Sequence, residues 1–220
     1  MISIVVADDH HLVRQSIVTL LDQAEDVKVV GEASNGHEAL LLIRRERPDV
    51  ALVDVAMPQL NGLETAYRTR ALDVDTRVII LSMYSDAIIV RRALENGAAG
   101  YLLKSAEAGE LLDAIRTVAS DQGFVPSELA RTVSTSNHGG VSVPGSSNVL
   151  DRLTSREREI MQLIAEGNTN RSIAEMLTIN IKTVEKHRAS LMRKLGARSI
   201  PDLIQAALKL RLVFLEKMSP

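Results

Sequence analysis

Across the first 122 residues, short apolar runs alternate with segments whose apolar positions recur every three to four residues. ISIVVA (2–7), VKVVGEA (27–33), DVALVD (49–54), RVIILS (77–82) and AGYLLK (99–104) are rich in β-branched residues and predict strands. Between the first two runs, Leu12, Val13, Ser16, Ile17, Leu20 and Leu21 mark one face of a helix. Similar periodicity predicts helices near 36–47, 62–71, 86–96 and 107–121. Strands this apolar are buried on both faces, and five βα units in series predict an α/β doubly wound, five-stranded parallel sheet.

The pattern then breaks. STSNHGGVSVPGSSNV (134–149) is rich in Ser, Gly and Asn, carries no charge, and predicts a flexible linker. A short helix around 127–133 is expected before it. Beyond 150 the period is helical throughout. Thr154 or Ser155 caps a helix that Gly167 stops, and a second helix covers about 170–177. The turn Thr178-Ile179-Asn180 leads into a third helix, about 181–195, ended by Gly196, and a fourth starts near Pro201. The expected organisation is a first domain at 1–122, a flexible linker at 123–149, and an all-α four-helix domain at 150–220.

Charge sharpens this division. From Asp151 onward there are 13 basic and 8 acidic residues; of the chain's 26 basic and 28 acidic residues, 13 and 20 then remain for the first part. An acidic module joined to a basic one places a polyanion near the second. Aromatic residues make up only 2%, which argues against stacking on nucleobases. There is no cysteine, hence no disulfide or thiolate metal site, which fits a reducing cytoplasm. The N-terminal segment turns acidic at Asp8, too early for a signal-peptide core, and no apolar stretch is long enough to span a membrane.

The candidate chemistry lies at strand ends. In an open parallel sheet, ligands bind beyond the carboxyl ends of the strands. Asp8 and Asp9 end the first strand, Asp54 the third, Ser82 the fourth and Lys104 the fifth. Together they predict one acidic pocket. An aspartate can attack a phosphoryl donor to form an acyl phosphate. Mg²⁺, a hard cation suited to carboxylate oxygens, offsets the charge that results, and Asp54 with Asp8 or Asp9 suits that task. Lys104 can neutralise a phosphoryl oxygen and the Ser82 hydroxyl can donate to another. His10 and His11 follow the acids and could be ligands, but with no spaced His or Cys partner they read as loop or helix-start residues. No glycine-rich phosphate loop follows the first strand and no Ser-His-Asp set appears in the second module, so an enzyme is not expected.

In sequence, VVADDH, DVAMPQLNG, ILSMYSD and GYLLKS resemble the motifs of a response-regulator receiver domain, in order and spacing. The resemblance implies a flavodoxin-like fold, Asp54 as phosphoacceptor, Asp9 as a direct Mg²⁺ ligand supported by Asp8, and the Ala56 carbonyl as a further ligand. It also implies Ser82 as the switch hydroxyl, Lys104 as the phosphate-binding lysine, and Tyr101 as an aromatic that turns inward on activation.

In the third helix of the basic module, at about 100° per residue, Val184, Leu191 and Leu195 fall within roughly 20° of one line. Lys182, Lys186, Ala189 and Arg193 lie opposite, while His187 and Arg188 flank the apolar line. A helix with one apolar seam and a small, basic outer face suits the DNA major groove. LTSREREIMQLIAEGNTNRSIAEML and TVEKHRASLMRKLGARS resemble the LuxR-type helix-turn-helix. With the receiver, that implies a NarL/FixJ-type two-component response regulator of the bacterial cytoplasm. Its expected partners are a sensor histidine kinase and double-stranded operator DNA, and it is expected to form a homodimer when phosphorylated. Thr169, Asn170 and Arg171 would approach the DNA backbone, while Thr183, Lys186 and Arg188 lie on or beside the recognition surface. Glu157 and Gly167 would be scaffold residues. Glu185 stands where the family often has lysine. The apolar residues Leu203, Ala207 and Leu210 of the last helix offer either a dimer surface or core packing. The alternative function is a phosphorylation-independent adaptor acting through protein contacts.

Overall fold

Five strands, β1 (Ile2–Ala7), β2 (Val27–Ala33), β3 (Val50–Asp54), β4 (Arg77–Ser82) and β5 (Gly100–Leu103), pair in parallel in the order β2-β1-β3-β4-β5. The structure is a computed structural model that describes residues 1–131 and 149–214. The chain divides into two compact units, Met1–Gly140 and Val141–Pro220, and the sheet belongs to the first.

Helices α1 (His11–Leu21), α2 (Gly36–Glu46), α3 (Gly62–Thr69), α4 (Ala87–Glu95) and α5 (Ala108–Ala119) follow the strands in turn. Strand residues alternate between two buried faces. Ile4, Val6, Leu52, Ile79, Leu81 and Leu102 pack with Leu21 of α1 and Leu111, Ile115 and Val118 of α5. Val5, Ala51, Val53 and Ile80 bury the other face. This two-sided burial is why the central strands read as nearly unbroken apolar runs, while the edge strand β2 carries exposed Lys28 and Glu32. Local signals set the helix starts. Asn35, Asn61 and Asp86 each cap a helix by accepting a backbone N–H, from Glu38, Glu64 and Ile88 respectively.

The register aligns the carboxyl ends of the central strands. Ala7 lies opposite Val53, and Asp54 opposite Leu81. The strand order reverses between β1 and β3, so the crevice beyond their ends is the sheet's topological switch point.

Part of the expected linker is described. Phe124 bridges to Gly100 beside β5, its carbonyl accepting from the Tyr101 N–H at 2.9 Å, and residues 127–131 are helical. The rest of the expected linker up to residue 148, and the end of the 127–133 helix, lie outside the described residues.

Among its described residues the second unit has four main helices: α6 (Ser155–Ala165), α7 (Asn170–Met176), α8 (Ile181–Leu195) and α9 (Ile200–Lys209). Thr154 and Glu157 form a capping box at α6, and Ser199 and Asp202 form another at α9. Gly196 closes α8 in the left-handed conformation, at φ 63°. Ile160, Leu163, Ile173, Val184 and Leu191 form one core. Leu203, Ala207 and Leu210 belong to that same core, so of the two roles open to them the structure shows core packing. An apolar stripe on a terminal helix reads the same in sequence whether it faces a core or a partner. Among the described residues, no helix is long and apolar enough to cross a membrane.

Candidate functional site

The sheet brings three of the predicted residues into direct contact. Lys104 Nζ lies 2.7 Å from Asp8 Oδ2 and 3.0 Å from Asp54 Oδ1. Asp8 and Asp54 are buried, and Asp9 is partly so. Oxygens of Asp8, Asp9 and Asp54, with a ring nitrogen of His10, all lie within 4.8 Å of one another. Burial first, and then the charge of Asp8, push the Asp54 carboxyl above the usual carboxylate range, although Lys104 opposes this. Burial works against the Lys104 ammonium, but Asp54 and Asp8 outweigh it and hold its pKa above the ordinary lysine value. One lysine faces three carboxylates, so the pocket favours a further cation.

The donor set fits a hard divalent ion. Asp54 Oδ2 is buried with no hydrogen-bond partner among the described residues. A buried carboxylate oxygen left bare is costly unless a ligand takes it up. Carboxylate oxygens in this number suit Mg²⁺ better than they suit a soft metal.

Local structure aims these groups. The N–H of Val55, in the turn after β3, bonds the Leu81 carbonyl at 2.8 Å. The N–H of Gly62 reaches back to the Val55 carbonyl at 3.0 Å. A Cβ at Gly62 would lie 2.2 Å from the Asp54 carbonyl oxygen, so only glycine permits this close return of the chain. The Lys104 N–H bonds the Ser82 carbonyl at 2.8 Å, which joins the ends of β4 and β5.

Ser82 is fully buried, and its Oγ accepts from the Tyr84 N–H at 2.9 Å. Tyr101 is also fully buried. Its hydroxyl donates to the Tyr84 carbonyl at 2.6 Å, on the residue whose N–H bonds Ser82. Burial pushes this phenol up to about 12. The tyrosine expected to turn inward is therefore in the inward position in this structure.

Two further side chains join the pocket, His10, which the sequence placed beside the acids, and Arg14, which it did not. His10 does start a helix, as N-cap of α1, but its Nδ1 also lies 3.1 Å from Asp9 Oδ1 and its N–H bonds Asp8 Oδ1 at 2.8 Å. Arg14 donates to the Asp8 carbonyl at 2.6 Å. Only the adjacency of His10 to the acids hinted at the first; nothing in the sequence marked the second.

In the second unit, the helix wheel holds. Val184 and Leu191 are fully buried, while Lys182, Lys186, Ala189 and Arg193 are exposed. Thr183, His187 and Arg188 sit half-buried on the shoulders of α8. Arg188 Nη1 donates to Asn170 Oδ1 at 3.3 Å and ties α8 to α7. Thr169 is the exposed N-cap of α7, and Arg171 is exposed beside Glu175. Glu157 closes the α6 capping box and also accepts from Ser190 Oγ at 2.8 Å and Lys194 Nζ at 2.6 Å on α8.

Comparison with known proteins bears on both units. The family model for the response regulator receiver domain matches residues 4–116. The model for bacterial regulatory proteins of the luxR family matches residues 151–207. The chain belongs to the response-regulator family. This response regulator joins a receiver to a LuxR-type helix-turn-helix and is a DNA-binding transcriptional regulator. It is 38% identical over 216 residues to the oxygen regulatory protein NreC of Staphylococcus aureus (strain bovine RF122 / ET3-1), covering 96% of this chain and 98% of that one. A LuxR-family two-component response regulator from Aurantimonas sp. SI85-9A1 has a similar structure, with TM-score 0.60 and 28% identity over 62% of this chain and 98% of that one. The two-component response regulator RcsB, in its complex with DNA, matches at TM-score 0.57 and 25% identity over 95% of this chain and 98% of that one. The five-stranded receiver fold followed by a helical module agrees with the expected class.

Proposed function

We propose that this response regulator is switched by phosphoryl transfer from a sensor histidine kinase to Asp54. The Asp54 carboxylate attacks the phosphorus, the kinase imidazole leaves, and an acyl phosphate forms. The observation that carries this reading is the buried Asp54 carboxylate, held by Lys104 and flanked by Asp8 and Asp9. Asp8, Asp9, Asp54 and the Ala56 carbonyl hold Mg²⁺, which offsets charge on the phosphoryl oxygens. Lys104 neutralises one of those oxygens and the Ser82 hydroxyl donates to another. Ser82, Tyr84 and Tyr101 already form one hydrogen-bonded set. A phosphoryl group that engages Ser82 therefore biases the position of Tyr101 and of the loop before α4.

The output is operator binding. Lys182, Lys186 and Arg193 project from α8 toward the groove, with Thr183, His187 and Arg188 on its shoulders. Thr169, Asn170 and Arg171 meet the phosphate backbone at the start of α7, where helix N-termini favour anions. The phosphorylated protein acts as a homodimer on paired half-sites in the bacterial cytoplasm. The domain limits we assign are 1–122 and 150–220, with the connector at 123–149. The test is a DNA mobility shift with and without Mg²⁺ and a small acyl-phosphate donor. Tighter operator binding only when both are present supports the switch. Equal binding in all four conditions would favour the phosphorylation-independent adaptor.

A further inference from the structure

The outer arc of α8 carries one acid among its cations. Glu185 is exposed and makes no hydrogen bond or ion pair with any described residue. By helix geometry it lies roughly 60° round from Lys182 and from Arg188, on the α7 side of the outward arc. The usual reason for such an acid is a helix-surface ion pair three or four residues away. That reason fails here. The residue at i+4 is Ala189, the one at i−4 is Ile181, and Arg188 at i+3 is turned to Asn170. Lys182 at i−3 does not pair with it within 4.0 Å, although both side chains are long and exposed. Glu185 therefore contributes a bare carboxylate to the surface that would approach a polyanion.

We propose that Glu185 is a specificity-determining residue that reads the amino group of one cytosine in each half-site. This rests on the reading of α8 as the helix that enters the major groove. The choice of base follows from the groove edges. Guanine offers two acceptors and thymine one, and each repels a carboxylate. Adenine offers an amino donor with the N7 acceptor beside it. Cytosine alone carries an amino donor and no acceptor of its own in the groove. A carboxylate among phosphates is penalised on every sequence, and only a cytosine at the contacted position offsets that cost. The residue acts by exclusion as much as by attraction.

The test is selection of bound fragments from random-sequence duplex DNA by the full-length protein, its Glu185→Ala and Glu185→Gln variants, and Lys186→Ala as a control. The wild type should select a C·G pair at one position of each half-site, preferred by about tenfold. Glu185→Ala should lose selectivity at that position alone and bind non-specific DNA more tightly. Glu185→Gln should shift the preference there to adenine, which an amide contacts through both N6 and N7. The same motif from wild type and Glu185→Ala, with an altered motif from Lys186→Ala, would overturn the role of Glu185 and leave α8 as the recognition helix. A motif unchanged in all variants, or no motif from the wild type, would overturn both.

Discussion

Glu157 ties the start of α6 to the recognition helix, and its replacement by Gln tests how that helix is held. The carboxylate is buried, and Oε2 accepts from the Thr154 N–H at 2.8 Å and from Lys194 Nζ at 2.6 Å. Oε1 accepts from Ser190 Oγ at 2.8 Å. A glutamine can keep its oxygen on Thr154 and Lys194 and turn its amide toward Ser190, whose hydroxyl can rotate to accept. The capping geometry survives and the charge is lost. Burial pushes the Glu157 carboxyl up, but Lys194, the Thr154 N–H and Ser190 outweigh it and bring the pKa down to about 2. A displacement of that size bounds the contribution at about 3 kcal/mol, and solvent screening at the part-exposed Lys194 reduces it to about 1–2 kcal/mol. Because the folded value is depressed, this stability is fully present above the ordinary glutamate pKa. It falls as pH drops from about 4.5 toward 2. Hydrogen exchange at α6 and α8 amides reads the effect without interference from the other unit. At pH 7, Glu157→Gln should exchange about five- to thirtyfold faster there, and the gap from wild type should close as pH falls toward 2. Equal protection at pH 7, or a gap that does not change with pH, would refute the charge pairing as the source of the stability.

Two further substitutions probe the pocket. Gly62→Ala drives a Cβ into the Asp54 carbonyl oxygen, which is backbone and cannot turn aside, so the receiver should lose about 3 kcal/mol in denaturant unfolding. Lys104→Ala removes the cation that competes for Asp8 and Asp54, so Mg²⁺ measured by titration calorimetry should bind about five- to tenfold more tightly. Phosphoryl uptake by the same variant should nevertheless slow, because the developing charge loses its ammonium partner; unchanged uptake would place Lys104 outside the reaction.

Legibility followed physical scale. The strands were readable because burial on both faces leaves the central ones almost wholly apolar, and their ends came within a residue of those expected. The acids and Lys104 were readable because a parallel sheet gathers strand ends at one edge, whatever their separation in sequence. The cap at Thr154 was readable because it acts within one helical turn, whereas the capping box at Ser199 was not read. Contacts set by rotamers or by distant packing were not. No local pattern says that the Tyr101 hydroxyl meets the Tyr84 carbonyl, that Arg14 reaches the Asp8 carbonyl, or that Glu157 accepts from a helix more than thirty residues onward. Leu203 and Ala207 illustrate the remaining ambiguity, since helical period reports that a face is covered without saying by what.

The most direct test of the account is the site of phosphate. The wild type and Asp54→Asn would be incubated with Mg²⁺ and a small acyl-phosphate donor, and intact mass and peptide mapping would follow. One phosphoryl group on the peptide containing Asp54 in the wild type, and none in the variant, is the predicted result. Labelling of Asp54→Asn at the wild-type level would contradict it.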